Sequence, residues 1–234
     1  MELRGLGASE TRLSPIGLGC WQFSAGKGLI GGYWEALTQD RVEAIVRTSL
    51  QGGVTWFDTA EAYGGGASEE ALSTALRSLG KSPGDVAVAT KWQPFLRSAA
   101  GIGRTIEKRL RCLGGFPIDL HQIHSPTSLS SVDREMEAMA ALVRGGKIRS
   151  VGVSNYPAGM MRRAHRALAA RGLPLVSNQI RYSLLHRKAE CNGVMAAAKE
   201  LGITIIAYSP LAQGILTGRL HDDPGLIQAR PGPR

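Results

Sequence analysis

Residues 54–60 read VTWFDTA, residues 68–80 read SEEALSTALRSLG, and residues 85–92 read DVAVATKW. The first and third segments are short and apolar, which is typical of buried strands. In the middle segment apolar residues recur every three or four positions, which predicts an amphipathic helix with Ser68 as N-cap and Gly80 as its stop. A strand, a helix and a second strand in this order predict one unit of a parallel sheet.

The same unit recurs along the rest of the chain. Further strands are predicted at residues 14–21, 118–126, 148–155, 175–180 and 203–210. Further helices are predicted near residues 41–50, 102–113, 131–144, 158–170 and 190–201. Near-continuous apolar strands that alternate with helices indicate a parallel sheet covered on both faces.

Two closures of such a sheet compete, an open doubly wound sheet and a (β/α)8 barrel. Polar residues recur at the C-terminal ends of the predicted strands, namely Asp58, Lys91, His124, Ser154, Asn178 and Tyr208. A barrel gathers these ends on one face, whereas an open sheet spreads them along a line. The predicted fold is therefore an α/β, TIM (β/α)8-type barrel of parallel strands.

The segment after Pro210 is rich in Pro, Gly and Arg and contains no further strand candidate. An eighth strand with its helix would need about 30 more residues at the observed repeat length. We predict one domain, residues 1–234, that lacks the eighth βα unit and is truncated after strand 7. The chain is then either a shortened form of a longer protein or a barrel completed by a partner or second copy.

The composition excludes several classes of protein. No apolar run approaches the roughly 20 residues that span a bilayer, and the N-terminus lacks a signal peptide, so we predict a cytoplasmic protein without membrane insertion. The net charge is +9, but Lys and Arg are scattered without interleaved aromatic residues, so no nucleic-acid partner is predicted. Three widely separated cysteines indicate neither disulfides nor a metal site.

Four residues on three successive units suit proton transfer. A tyrosine with its usual pKa of about 10 is a poor acid near neutrality, and a nearby cation lowers that value. Lys91 can supply the cation for Tyr63, and Asp58 can keep the ammonium charged on burial. His124 adds a donor that could orient a substrate carbonyl. His121 lies three positions from it, on the opposite strand face, so no metal pair is predicted.

The segments DTAEAYG, ATKW and HQIHSP, in this order, resemble the aldo-keto reductase superfamily, whose barrel carries an Asp, Tyr, Lys, His tetrad. The resemblance continues through GVSNY, NQIRYSLL and AYSPLAQGILTG, to about residue 219. It implies that Tyr63 is the general acid for carbonyl reduction, tuned by Lys91 and Asp58, with His124 aligning the carbonyl.

The same resemblance implies an NADPH cofactor bound without a Rossmann unit, since the glycines at 17–19 do not open a helix. It assigns the nicotinamide and pyrophosphate contacts to Ser154, Asn155, Gln179, Tyr208, Ser209, Leu211 and Gly214. Trp21 and Trp92 are predicted to wall the pocket of a small carbonyl substrate, an aldehyde or a ketone.

Family members continue into an eighth strand whose loop holds the 2′-phosphate of the cofactor, and this chain has no matching segment. NADH is therefore not excluded as cofactor. Two alternatives to a carbonyl reductase remain open at this point: a nicotinamide-binding regulatory subunit of a membrane channel, and an inactive fragment of a reductase.

Overall fold

The computed structural model describes residues 1–28, 34–223 and 225–228. Its centre is a sheet of seven parallel strands, each hydrogen-bonded to the next in chain order. These strands are β3 (Leu18–Gly19), β4 (Trp56–Asp58), β5 (Ala87–Trp92), β6 (Leu120–Ile123), β7 (Ser150–Ser154), β8 (Leu175–Arg181) and β9 (Thr204–Tyr208). All seven lie where the sequence predicts them.

The sheet curls into a nearly closed barrel of the TIM type, which confirms the predicted fold class. Strands β3 and β9 are the two edges of the sheet. In the described residues beyond Tyr208, the chain forms a 3-10 turn at Ala212–Thr217 and two helical turns, and no strand.

Helices follow most of the strands and pack against the outside of the barrel. They are α1 (Gln39–Gln51), α2 (Ala67–Ser78), α3 (Ala100–Cys112), α4 (Val132–Arg144), α5 (Ala158–Ala169) and α6 (Val194–Leu201). Two short helices, α7 (Arg219–Asp222) and α8 (Gly225–Gln228), follow the last strand. The main apolar core lies between these helices and the outward faces of the strands.

The start of α2 differs from the prediction that Ser68 is its N-cap. Gly66 occupies the cap position, and Ser68 is a buried residue of the first turn. Its hydroxyl donates to the carbonyl of Cys20 (2.6 Å) and lies 2.8 Å from the hydroxyl of Thr59. Ser68 therefore joins the helix to two strand ends instead of capping it.

An antiparallel hairpin, β1 (Arg4–Gly5) with β2 (Arg12–Leu13), precedes the barrel and was not predicted. Each strand has two residues, too few for a periodic pattern. Leu6 and Leu13 pack inside the barrel with a cluster of apolar residues at the N-terminal ends of the strands. The hairpin thus closes that end, and the polar interior is left to the opposite end.

No helix in the described parts of the chain is long and apolar enough to cross a membrane.

Candidate active site

The C-terminal ends of the strands surround a cavity of about 600 Å³. Its lining comes from the ends of β3, β4, β6, β7, β8 and β9 and from the loops that follow them. The lining residues are Gly19, Cys20, Trp21, Gln22, Trp34, Asp58, Tyr63, His124, Ser154, Asn155, Gln179, Tyr208, Ser209, Pro210, Leu211, Gln213 and Gly214. Parallel-barrel enzymes keep their chemistry at this end.

Beside the cavity floor, Lys91 forms a buried ion pair with Asp58. The ammonium is fully buried and donates to Oδ2 of Asp58 (2.6 Å) and to the carbonyl of Thr59 (2.9 Å). Alternation along adjacent strands directs both side chains into the barrel. Burial lowers the pKa of Lys91, but the charge of Asp58 and the interactions with Tyr63 outweigh it and leave the pKa raised. Lys91 is therefore charged at neutral pH.

The second carboxylate oxygen of Asp58 has two amide partners. Nε2 of Gln179 lies 3.1 Å from Oδ1, and Nε2 of Gln122 lies 3.4 Å from it. Gln122 is not among the residues that the sequence predicts for the site. Gln122 lies on β6, two residues before His124. Because alternate residues of a strand share a face, this spacing could have predicted that the Gln122 side chain points into the barrel. Together these contacts fix the carboxylate in one orientation.

Tyr63 lies among three of the other predicted site residues. Its ring centroid is 5.2 Å from Nζ of Lys91, 5.7 Å from the His124 ring centroid, and 6.1 Å from the Trp21 ring, on which it stacks. The structure therefore brings Lys91, His124 and Trp21 together around this phenol.

The predicted effect on the Tyr63 phenol is only partly found. Burial raises the pKa of Tyr63, and the charge of Lys91, the next largest influence, lowers it without cancelling the rise. The phenol is thus protonated at neutral pH in the free protein, as a proton donor must be. The prediction that the pKa falls below its usual value is wrong for this state, because desolvation exceeds the attraction of the ammonium.

His124 is a neutral imidazole at physiological pH. Burial, and then the charge of Lys91, lower its pKa from 6.5 to about 3. A neutral ring has one N–H donor and one acceptor nitrogen. It can donate a hydrogen bond to an oxygen in the cavity without adding a second positive charge next to Lys91.

On the other side of the cavity, polar residues of β7, β8 and β9 form a hydrogen-bonded chain. The Ser154 hydroxyl donates to the carbonyl of Gln179 (2.9 Å), and the Asn155 amide donates to the Ser154 hydroxyl (3.1 Å). The Tyr208 hydroxyl donates to Oδ1 of Asn155 (3.0 Å). The structure therefore brings these four predicted cofactor residues to one wall.

The loop after β9 carries the remaining predicted cofactor residues, Ser209, Leu211 and Gly214, and all three line the cavity. Ser209 and Gly214 have positive φ, as do Ala212 and Gln213 between them. The N–H groups of Ala212 and Gly214 donate to the carbonyls of Ser209 (2.9 Å) and Leu211 (3.0 Å), so the loop is a compact turn held by its own backbone.

The two tryptophans assigned to the substrate pocket have different positions. Trp21 lines the cavity, with Trp34 set edge-on against it at 5.6 Å between centroids. Trp92 does not line it. It follows the inward-facing Lys91 on β5, so it points outward into the core, where its exposure is 0% and Arg97 covers its ring. Its assignment to the pocket wall is corrected accordingly.

Curated relatives place the chain among the oxidoreductases. An uncharacterized oxidoreductase of Mycobacterium tuberculosis is 38% identical over 231 residues, which cover 98% of this chain and 67% of the relative. The aldo-keto reductase YhdN of Bacillus subtilis is 34% identical, over 95% of this chain and 66% of the relative. The chain thus spans about two thirds of the length of these relatives.

The family follows from a match along most of the sequence. Residues 15–232 match the model of the aldo/keto reductase family, and the chain belongs to that family. Among solved structures, a thermostable aldo-keto reductase crystallised with the inhibitor epalrestat superposes with a TM-score of 0.80 at 28% identity. That match covers 97% of this chain and 79% of the crystallised one.

Proposed function

We propose that this protein reduces an aldehyde or ketone to an alcohol, with NADPH as hydride donor and Tyr63 as proton donor. One observation carries the proposal: the phenol of Tyr63 shares a cavity wall with His124, and both lie beside the buried ion pair of Lys91 with Asp58. This group suits proton delivery to an oxygen that gains negative charge. Membership of the aldo/keto reductase family supports the reaction class.

The residues on the β7, β8 and β9 wall fit a nicotinamide cofactor. Asn155 and Gln179 offer amide groups to a carboxamide, and Tyr208 presents a half-buried ring for stacking. The loop from Ser209 to Gly214 lines the same cavity, and we assign the pyrophosphate of the cofactor to this loop. When bound, the nicotinamide supplies the hydride for reduction of a carbonyl carbon. The same residues would hold NADH, so preference for the phosphorylated form is part of the proposal.

The chain's own residues would perform the proton half of the reaction. His124, neutral and beside Tyr63, donates a hydrogen bond that aligns the substrate oxygen. Tyr63 transfers its proton to that oxygen as negative charge develops there. The ammonium of Lys91 stabilises the phenolate left behind, and Asp58 prevents the ammonium from losing its own proton. In alcohol oxidation the phenolate takes the proton back.

The cavity walls favour small carbonyl compounds with an apolar body. Trp21 and Trp34 form a perpendicular aromatic pair on the side facing Tyr63. Such walls bury apolar surface and leave the carbonyl directed at the polar groups.

The test is the oxidation of NADPH, followed by its absorbance, with a generic aromatic aldehyde and with Tyr63→Phe beside the natural sequence. We expect the variant to lose at least 100-fold in kcat, since general acid catalysis contributes roughly 10²–10⁴-fold, and to bind NADPH nearly unchanged. Tyr182→Phe is the matched control, because that tyrosine does not line the cavity and its hydroxyl donates to Glu190 at the protein surface.

Unchanged turnover in Tyr63→Phe would remove the tyrosine from the mechanism. Tight NADPH binding without turnover of any aldehyde, together with a co-purifying membrane protein, would favour a regulatory nicotinamide-binding subunit instead. A non-cooperative thermal melt would favour an inactive fragment.

A further inference from the structure

Two fully buried charged residues lie outside the cavity and have no role in the proposed proton transfer. Glu69, in the first turn of α2, has 0% exposure, and Arg109, near the end of α3, has 1%. Nη1 of Arg109 lies 2.5 Å from Oε2 of Glu69. Burying such a pair gains little stability, because desolvation offsets the attraction. The contacts of the pair indicate a reason for its presence other than stability.

The pair contacts the turn that carries Tyr63. Nη2 of Arg109 lies 3.5 Å from the carbonyl oxygen of Gly65, which it approaches as a donor. A Cβ atom built on Gly66 would lie 3.4 Å from the same nitrogen and 2.9 Å from Sγ of Cys112. The guanidinium and α3 therefore lie directly against the glycine turn.

Glu69 extends this contact to the strand that carries Lys91. Oγ1 of Thr90 donates to Oε1 of Glu69 at 2.6 Å, so the carboxylate bonds to α3 and to β5 together. Thr90 is the outward-facing neighbour of Lys91. The Glu69 carboxylate thus links the glycine turn, through Arg109, to the backbone that holds the ammonium.

The turn itself has few means of holding its shape. Gly64, Gly65 and Gly66 all have positive φ, at 70°, 66° and 122°, and no side chains. On the side opposite α3, a Cβ on Gly64 would lie 2.5 Å from the carbonyl oxygen of Ser24. The turn is accordingly packed between the 3-10 helix that carries Trp21 and the Glu69–Arg109 pair, and its position depends on both.

We propose that Glu69 and Arg109 are positioning residues for Tyr63: the buried pair holds the glycine turn so that the phenol stays beside Lys91 and His124. This inference rests on the proposed role of Tyr63 as proton donor. A misplacement of about 1 Å can lower a rate 100-fold, so a device far from the substrate can matter for the chemical step.

The charge state of the pair should change near neutrality. Burial raises the pKa of Glu69 from 4.5 to about 7, the charge of Arg109 and the Thr90 hydrogen bond lower it, and Glu61 and Glu70 raise it further. Burial, together with the charge of Arg109, lowers the pKa of His121 on β6 to about 4, so this ring is neutral at the pH where Glu69 titrates. Protonation of Glu69 would therefore weaken the hold on the turn as the pH falls through 7.

Steady-state kinetics with Glu69→Gln and Arg109→Gln test the positioning role, with Arg111→Gln as the matched control. Arg111 lies on the same helix but is exposed. We expect kcat to fall about 10-fold to 100-fold in Glu69→Gln and Arg109→Gln, with the dissociation constant of NADPH changed less than twofold.

The dependence of kcat on pH gives a second test. In the natural sequence kcat should decrease as the pH falls, with an apparent pKa near 7, and this decrease should be absent in Glu69→Gln. Unchanged kcat in a folded Glu69→Gln variant would overturn the proposal.

A readout without turnover separates this inference from the proposed function. The protein is labelled with 3-fluorotyrosine, and the ¹⁹F signal that disappears in Tyr63→Phe is assigned to Tyr63. It should shift in both pair variants and titrate near pH 7 in the natural sequence, whether or not any aldehyde is reduced. An unmoved signal would contradict positioning even if the enzyme is active.

Thr90→Val is the variant to use if the pair variants fail to fold, because it removes only one hydrogen-bond donor to Glu69. The ¹⁹F signal of Tyr63 should then shift in the same direction by a smaller amount. An unshifted signal in Thr90→Val would count against the proposal.

Discussion

The two halves of the barrel hold their polar groups in different ways. The tetrad half, strands β4 to β6 with their helices, holds its charges in buried ion pairs, Lys91 with Asp58 and Arg109 with Glu69. The cofactor half, strands β7 to β9, holds its polar groups in neutral hydrogen bonds and ends in the edge strand β9, whose residues are mostly half-buried.

This difference indicates which functional groups must be held rigidly in the absence of a ligand. Groups that move a proton must stay in place without a ligand, so the tetrad half fixes them with buried partners. Groups that bind a ligand need no charge fixed in advance, so the half to which we assign the cofactor presents neutral amides and a half-buried ring at the cavity surface. Substitutions should therefore affect stability and turnover in the tetrad half, and ligand affinity in the cofactor half.

The largest effect is expected for Lys91→Met, which leaves the Asp58 carboxylate buried without its cation. We expect the free energy of unfolding to fall by about 3–5 kcal/mol, together with loss of turnover. Urea denaturation followed by circular dichroism measures the free energy of unfolding. Arg162→Met in the cofactor half is the control, since its pair with Glu200 lies at the surface, where water screens the charges, and should contribute little to stability. Similar losses in both variants would show that the halves do not differ.

Adding Asp58→Asn to Lys91→Met sharpens the same test. The double variant removes the unpaired charge, so we expect it to regain part of the lost stability while turnover stays absent. Continued loss of stability would mean that packing of the lysine stem, not charge, accounts for the effect.

The next largest effect is expected where the two halves meet, at Gly152 on β7. A Cβ there would lie 2.3 Å from Oγ of Ser177 and 3.0 Å from Cγ of Gln122, inside the barrel. Overpacking of this kind costs about 1–3 kcal/mol, so Gly152→Ala should lower the midpoint of urea unfolding. Gly159→Ala, in α5 with open space around its Cβ, should instead stabilise by roughly 0.5–1 kcal/mol. Equal tolerance of the two substitutions would mean that the barrel interior can repack.

A smaller effect concerns the dependence of stability on pH. His121, whose pKa falls from 6.5 to about 4 on folding, contributes stability that is present above pH 6.5 and lost as the pH falls toward 4. Glu69, whose pKa rises from 4.5 to about 7, has the opposite sign: its stability is present below pH 4.5 and lost as the pH rises through 7. Between pH 4.5 and 6.5 the two oppose each other.

Glu69→Gln should therefore steepen the acid-side loss of stability by about 1 kcal/mol per pH unit in that window, as measured by urea unfolding at several pH values. Glu137→Gln, at an exposed position of α4, should leave the slope unchanged. A slope unaltered in Glu69→Gln would indicate that the carboxyl is ionised throughout the window.

The sequence predicted the strands because each buried parallel strand is a short apolar run, and it indicated Asp58, Lys91 and His124 because polar residues recur at strand ends. It predicted Trp92 in the pocket because a run of apolar residues does not show which face is inward; the inward direction of Lys91 decides that. Glu69 and Arg109 were missed because both lie on helices, where no strand-end pattern marks them, and the two are 40 residues apart in the chain. Only the fold brings such pairs together.

The smallest effect is expected in the cofactor half, for Tyr208→Phe. The variant keeps the ring that faces the cavity and removes the hydroxyl that bonds to Asn155, a non-glycine residue with a φ of 60°. Since one neutral hydrogen bond contributes about 1 kcal/mol, the dissociation constant of NADPH should rise about fivefold, because Asn155 loses the contact that orients its amide. Fluorescence titration with NADPH measures the affinity, and urea unfolding should change little because Tyr208 is only half-buried. A large loss of stability with unchanged affinity would reverse the assignment of the two halves, because the hydroxyl would then hold the edge strand and not the ligand site.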